Sequence, residues 1–206
     1  MTASLLIASN NPYKTAELKR ILADFGIKAS SYQQKIGKQS FPPETTTSFR
    51  TNVNTKAVFI SQQIPNQLVI ADDSGIVLDA CPDKLGVVTS RQLAPYMPNY
   101  VEHMLTMVDG QSRRYLMRSY TTIAKNGQII ATGVGKLTGE LAQQPRGKDR
   151  DGFDCVLIPD GLNLTLNQLS RKDWLKYAHR AKAVRQVLSR AGLLKSENKN
   201  DQDSNE

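Results

Sequence analysis

Leu68-Val69-Ile70-Ala71-Asp72-Asp73-Ser74-Gly75 is the stretch on which the reading of this chain turns. Three branched apolar residues in a row mark a short buried strand, and two adjacent carboxylates and a glycine follow at once. The pattern predicts a strand over 68–71, a turn at Gly75 and a resumed strand over 76–78. Charge at the C-terminal edge of an open α/β sheet lies where such sheets bind ligands. Two neighbouring acids suit an oxygen-seeking divalent cation such as Mg²⁺, and one of them can activate a water. Taken alone, the stretch also reads as an ordinary polar strand-to-turn junction.

Working outward, Leu5-Leu6-Ile7-Ala8 reads as a buried strand, followed by Ser9-Asn10-Asn11 and a helix with Pro12 in its first turn and Asn11 as its N-cap. Leu18, Ile21, Leu22 and Phe25 repeat at helical spacing, and Gly26 ends the helix. Amides at such a helix start attract phosphate, and Lys14 adds positive charge there. A second helix is predicted from Thr47 or Ser48, with Phe49, Val53, Ala57 and Ile60 on one face and Asn52 and Lys56 adjacent at i, i+4. Residues 85–91 read as a loop or short strand, and 99–108 as a helix carrying His103, which has no ligand-type neighbour and is read as structural. Asn126-Gly127 between two long apolar runs, 114–124 and 128–141, is a strong hairpin signal, and strands of that length point to a second lobe. Residues 145–151 are a charged loop and 155–158 a short strand. Residues 172–190 read as one last helix with Trp174, Tyr177, Ala181, Val184 and Leu188 on its buried stripe and His179-Arg180 off it.

The chain has 206 residues and a net charge of +8, which favours an anionic partner. The basic residues form no stripe with interleaved aromatics, so specific nucleic-acid binding is not expected. Cys81 and Cys155 are too few for a disulfide framework and lack metal-site spacing, which fits a reducing cytoplasm. No apolar stretch approaches the ~18 residues needed to span a bilayer. We expect one domain over 1–195 and a disordered polar tail over 196–206.

Further candidates lie downstream. Glu44 can add a third carboxylate to Asp72 and Asp73. Pro145-Arg146-Gly147-Lys148 offers charge and a glycine, although no Walker loop is present. His179-Arg180 is a donor pair able to read a base edge or a phosphate oxygen. Each of these is commonplace in isolation. Their order is more specific: Ser9-x-Asn11-x-x-Lys14, Glu44, Ser48-Phe49-x-x-Asn52-x-x-x-Lys56-Ala57, Ala71-Asp72-Asp73-Ser74-Gly75, Gly86-x-x-x-x-Arg91, Pro145-Arg146-Gly147, Gly152-Phe153-Asp154 and His179-Arg180. This order resembles the inosine triphosphate pyrophosphatase family, from about Leu5 to Ala191.

The resemblance implies an α/β fold, with an elongated mixed sheet in two lobes flanked by helices and a nucleotide cleft between the lobes. It also implies a homodimer. The implied reaction is Mg²⁺-dependent hydrolysis of noncanonical purine nucleoside triphosphates to monophosphate and pyrophosphate. By position, Ser9, Asn11, Lys14 and Lys56 would hold phosphates. Glu44 and Asp73 would bind Mg²⁺, with Asp73 also the general base, and Ser74 would touch substrate. The glycine-led segment Gly152, Phe153 and Asp154, together with His179 and Arg180, would line the base pocket.

Departures from the family pattern cluster at that pocket. Asp151 stands where the family has its base-stacking Phe, Trp174 where it has Lys, Ala178 where it has Ser and Val88 where it has an aromatic. Base stacking on an aromatic ring is worth roughly 1–3 kcal/mol. The reading is therefore of kept catalytic machinery with altered base recognition. Asp151 would either accept from a ring amino or N–H group or pair with Arg146, Lys148 or Arg150. A sister pyrophosphatase of different base preference and a catalytically weak nucleotide-binding protein are the alternatives.

Overall fold

A computed structural model describes residues 4–148 and 152–194. Asp151 and the expected tail lie outside the described residues. The chain opens on β1 (Ser4–Ile7) and α1 (Pro12–Asp24). The Asn11 side chain accepts from the Lys14 amide and caps α1, and Pro12 takes the first turn, where a missing N–H costs nothing. Leu18, Ile21 and Leu22 are buried as expected, and Gly26, at φ +73°, follows the helix end. Next come β2 (Lys28–Ser31), the single turn α2 (Gln33–Ile36) and α3 (Phe49–Gln63), whose first turn Ser48 caps by accepting from Thr51. Besides its apolar stripe, α3 buries Asn52 and Lys56.

β3 (Leu68–Leu78) departs from the sequence reading. No turn forms at Gly75, and the strand runs uninterrupted for 11 residues. Asp72 and Asp73 therefore sit in mid-strand. Among the described residues the edge beside them has no partner strand because β1 ends: Ile7 pairs with Ile70, and β1 then leaves the sheet. Gly75 instead permits close approach, since a Cβ there would fall on the Gly86 carbonyl. Gly86–Val88 is a 3₁₀ turn leading into α4 (Thr89–Leu93), where a loop or short strand was expected. The helix expected over 99–108 is α5 (Tyr100–Thr106).

β4 (Arg114–Lys125) and β5 (Gln128–Leu141) form the expected hairpin, with Asn126 at φ +51° and Gly127 at φ +76°. Positive φ at both turn residues is the mirror-image geometry that suits strand twist. The hairpin builds no sheet of its own, because β4 pairs along β3 from Val69–Ala124 to Leu78–Tyr115. With β6 (Leu157–Pro159), the result is one mixed six-stranded sheet, ordered β2-β1-β3-β4-β5-β6. Its first three strands are parallel and the rest antiparallel. Leu5 and Ile7 join one apolar cluster, Leu6 and Ala8 the other, so both faces of the sheet are covered.

The last expected helix is two: α6 (Arg171–Tyr177) and α7 (His179–Arg190), broken at Ala178, whose ψ of 126° is extended. α7 lies close against β5, and Gly133 and Gly135 allow it. A Cβ on Gly135 would meet the His179 carbonyl, and one on Gly133 the Ala183 carbonyl. The break and this contact bury His179 and Arg180, which the continuous-helix reading had left outside the buried stripe.

Candidate active site

Strand alternation sends Asp72 and Asp73 to opposite faces of β3. Asp73 turns toward α3. Its Oδ2 accepts from Asn52 Nδ2 at 3.2 Å, and its Oδ1 lies 3.4 Å from Lys56 Nζ. The same ammonium sits 2.9 Å from Glu44 Oε1, so one lysine bridges two carboxylates. Lys14, from the first turn of α1, approaches the strand edge that β1 vacates, 3.8 Å from Asp72 and 3.9 Å from Asp73. Arg91 Nη2 donates to the Thr45 carbonyl at 2.9 Å and lies 3.9 Å from Glu44, holding the Glu44 loop over the cluster.

Asp72 turns toward α7 and is buried. Ser119 donates to its Oδ1, and Arg180 Nε donates to its Oδ2 at 3.1 Å. The acid pair expected to share one metal leaves β3 on its two faces, with the Lys14 ammonium within reach of both carboxylates. Asp72 lies across the sheet from Glu44, and each of its oxygens accepts a hydrogen bond from the protein, so it serves as the counter-ion of Arg180. Arg180 also pairs with Glu17 and donates to Ser74 Oγ at 2.6 Å. That single guanidinium ties α7 to α1 and β3.

These environments set the protonation states. Burial pushes the Asp73 carboxyl up, and the nearby charges of Asp72 and Glu44 add to it against Lys56 and Lys14. Burial acts on Asp72 the same way, but Arg180, Lys14 and the Ser119 hydrogen bond outweigh it and hold Asp72 well below the usual carboxylate range. Burial lowers Lys14, with Arg180 and Lys56 contributing. Lys56 is raised: Asp73 and Glu44 overcome its burial. A carboxylate of raised basicity beside two lysines is a base able to take a proton from water near an anionic substrate.

Ser9 and Asn11 act on the helix start: Ser9 Oγ accepts from the Asn11 amide at 3.1 Å, and Asn11 caps α1. His179 is buried with neither ring nitrogen hydrogen-bonded, and burial and Arg180 bring its pKa down to about 3, so it is neutral. Gly152, at φ +81°, leads into Phe153, whose ring meets Tyr100 edge-on at 5.4 Å. Asp154 Oδ2 accepts from Trp174 Nε1 at 2.6 Å. Burial and the nearby Glu17 push this carboxyl up to about 6. Arg146 of the charged loop reaches the Asn163 carbonyl at 3.4 Å and joins none of these groups.

Glu17 and Ser119 were missed by the sequence reading. Glu17 lies one helical turn beyond Lys14, and Ser119 is a polar residue at a buried position on β4 between Met117 and Thr121. Both are visible as polar side chains on faces that pattern marks as interior.

A mixed six-stranded α/β sheet that gathers carboxylates and lysines where its N-terminal strand ends defines the class: an α/β protein with a built acid–lysine site. The chain belongs to the Ham1 family, whose model matches residues 5–190. Among curated proteins it is 38% identical over 194 residues to the dihydroneopterin triphosphate diphosphatase of Limosilactobacillus reuteri, covering 93% of this chain and 100% of that one. It is 29% identical to the dITP/XTP pyrophosphatase of Bacillus subtilis, covering 88% and 93%. Among solved structures it resembles the Staphylococcus aureus Ham1 protein, with a TM-score of 0.73, 25% identity and coverage of 92% and 97%.

Proposed function

We propose that this protein hydrolyses noncanonical purine nucleoside triphosphates, those of inosine and xanthosine among them, to the monophosphate and pyrophosphate. One observation carries the reading. Asp73, an acid of raised basicity, faces Lys14 and Lys56 at the edge that the end of β1 leaves open. Lys14 and Lys56 neutralise phosphate charge, and the α1 amides lie at the same edge. Asp73 orients a water and takes its proton as the water oxygen bonds to the α-phosphorus and the bond from that phosphorus to the α,β-bridging oxygen breaks, releasing pyrophosphate. His179 is neutral, so it brings no positive charge to the phosphates.

Glu44 and Asp73 fit a divalent cation: both are hard oxygen donors, and they already share one cation, the Lys56 ammonium. No group of three or more His, Cys, Asp or Glu suited to a metal occurs among the described residues. Mg²⁺ keeps waters and substrate phosphates in its shell, so two protein carboxylates are enough to hold it. When bound, Mg²⁺ would neutralise charge on the phosphate oxygens.

The test is pyrophosphate release with Mg²⁺ from inosine, xanthosine, guanosine, adenosine, cytidine and uridine triphosphates. Release from the inosine or xanthosine nucleotide should fall by about 10²–10⁴-fold in Asp73→Asn. Omitting Mg²⁺ should abolish it. A folded protein that binds nucleotides and releases nothing would instead be a nucleotide-binding protein. A second reading, hydrolysis of dihydroneopterin triphosphate, is favoured by the Limosilactobacillus reuteri relative. The same family reading carries a homodimer, checked by light scattering, and the two cysteines without disulfide or metal spacing carry a cytoplasmic location, checked by fractionation. Among the described residues, no helix is long and apolar enough to cross a membrane.

A further inference from the structure

Asn10 stands between Ser9 and Asn11, the two residues that shape the start of α1, yet its side chain is committed to a different part of the chain. Asn10 Nδ2 donates to the Gln39 carbonyl at 2.9 Å. Asn10 Oδ1 accepts from the Tyr32 hydroxyl at 2.6 Å and from Gln33 Nε2 at 3.0 Å. The Tyr32 oxygen in turn accepts from the Gln39 amide at 2.9 Å. Both main-chain groups of Gln39 are therefore paired, one with Asn10 and one with Tyr32, although residues 37–48 lie between α2 and α3 without helix or strand. Tyr32 is itself fixed: it is buried, and its amide donates to the Ile7 carbonyl at 3.2 Å where β1 ends. From Gln39 the chain leads to Glu44. Phe41 meets the Tyr32 ring edge-on at 5.8 Å and lies 6.0 Å from the Phe59 ring of α3. Pro42 and Pro43 follow, and their fixed φ leaves little freedom between that anchor and Glu44. Glu44 then meets Lys56 at 2.9 Å. Among the described residues, neither Asn10 nor Tyr32 bonds to Glu44, Asp73, Lys14 or Lys56.

We propose that Asn10 and Tyr32 are positioning residues, which hold the loop carrying Glu44 in a fixed place beside the helix start that receives phosphate. The proposal rests on the pyrophosphatase reading of this site and adds to it two residues outside the acid–lysine cluster. Glu44 and Asp73 come from segments far apart in sequence, and Mg²⁺ demands near-ideal placement of its oxygens. A loop left free would have to be ordered each time the site filled, at a cost in conformational entropy. The Asn10–Tyr32–Gln39 hydrogen bonds order it in advance. They also tie the segment that presents Glu44 to the segment that opens α1, so the two move as one unit.

Two variants test it. Tyr32→Phe keeps the ring against Phe41 and deletes only the hydroxyl, and Asn10→Ala deletes the amide. Amide exchange followed by NMR on the metal-free protein needs no turnover. The Gln39 amide should exchange about tenfold or more faster in either variant, while the amides of β3 keep the parent's protection. In pyrophosphate release at limiting Mg²⁺, kcat/KM should fall about 10–100-fold, the scale seen when a group that orients a metal ligand is removed. Excess Mg²⁺ should restore most of that loss, which it would not do for a general loss of structure. The double variant should stay within about threefold of Asn10→Ala alone, because the two side chains act as one unit. Unchanged Gln39 exchange in both variants, or faster exchange with the parent's Mg²⁺ dependence intact, would overturn the proposal. Faster Gln39 exchange in the variants of a parent that releases no pyrophosphate from any triphosphate would leave the hold on the Glu44 loop standing and remove the pyrophosphatase reading instead.

Discussion

Adjacent strand residues face opposite ways, and β3 uses this to give Asp72 and Asp73 different tasks. Asp72 is held ionised by Arg180, Lys14 and Ser119, whereas Asp73 is raised and meets Lys56 besides Lys14. The two Asp→Asn variants should therefore part company. Asp72→Asn removes a buried charged partner of Arg180 and should cost about 1.5–3 kcal/mol in urea denaturation. Asp73→Asn replaces a carboxylate whose charge burial disfavours, so its stability should stay within about 1 kcal/mol of the parent while activity is lost. Equal destabilisation by both would refute the division. In the sequence the two acids were legible as a pair, but which of them meets α3 and which meets α7 was not. That depends on which helix covers each face of the sheet.

At the scale of elements, the placement of α7 matters most. A continuous helix over 172–190 follows from its apolar stripe, and nothing in Ala178 alone marks a break. The break comes from packing, because α7 must lie against Gly133 and Gly135 while Trp174 reaches Asp154. Gly135→Ala would drive a Cβ into the His179 carbonyl and lift the start of α7, carrying Arg180 away from Ser74. We expect a loss of about 1–3 kcal/mol together with a fall in kcat/KM, read by thermal melts and pyrophosphate release. Ala at the exposed Gly192, which has open space around it, should leave kcat/KM unchanged. The turn expected at Gly75 failed for a related reason: the glycine answers a need for space beside Gly86, and the strand passes straight through it.

Across the whole molecule, the buried polar groups joining α1, β3 and α7 make acid stability a balance of opposite terms. His179 is neutral when folded, with a pKa near 3 against an ordinary 6.5. Below pH 6.5 only the unfolded chain gains this proton, so stability falls as pH drops. Asp154 works the other way, with a pKa of about 6 against 3.8. Between those values the folded protein holds the proton, so stability rises as pH drops and is lost as pH rises through 6. Each contributes a slope of up to about 1.4 kcal/mol per pH unit, and the two oppose each other between pH 4 and 6. Urea denaturation across pH 4–8 should show Asp154→Asn losing stability on acidification more steeply than the parent. Parallel curves would remove this account.

By itself the sequence determined the capped helices, the Asn126-Gly127 hairpin, the apolar faces, the acid and lysine positions and the family resemblance. All of these are written in local pattern: capping chemistry, turn residues and the periods 3.6 and 2. Tertiary structure alone decided the rest. It made one sheet of six strands from the hairpin and the N-terminal unit, since pairing β4 to β3 joins residues far apart in sequence. It buried His179 and Arg180, and it gave Asp72 to Arg180 and Asp154 to Trp174. Those outcomes follow from which surfaces the folded chain brings together. Burial and neighbouring charge, more than residue type, then set what each carboxylate can do.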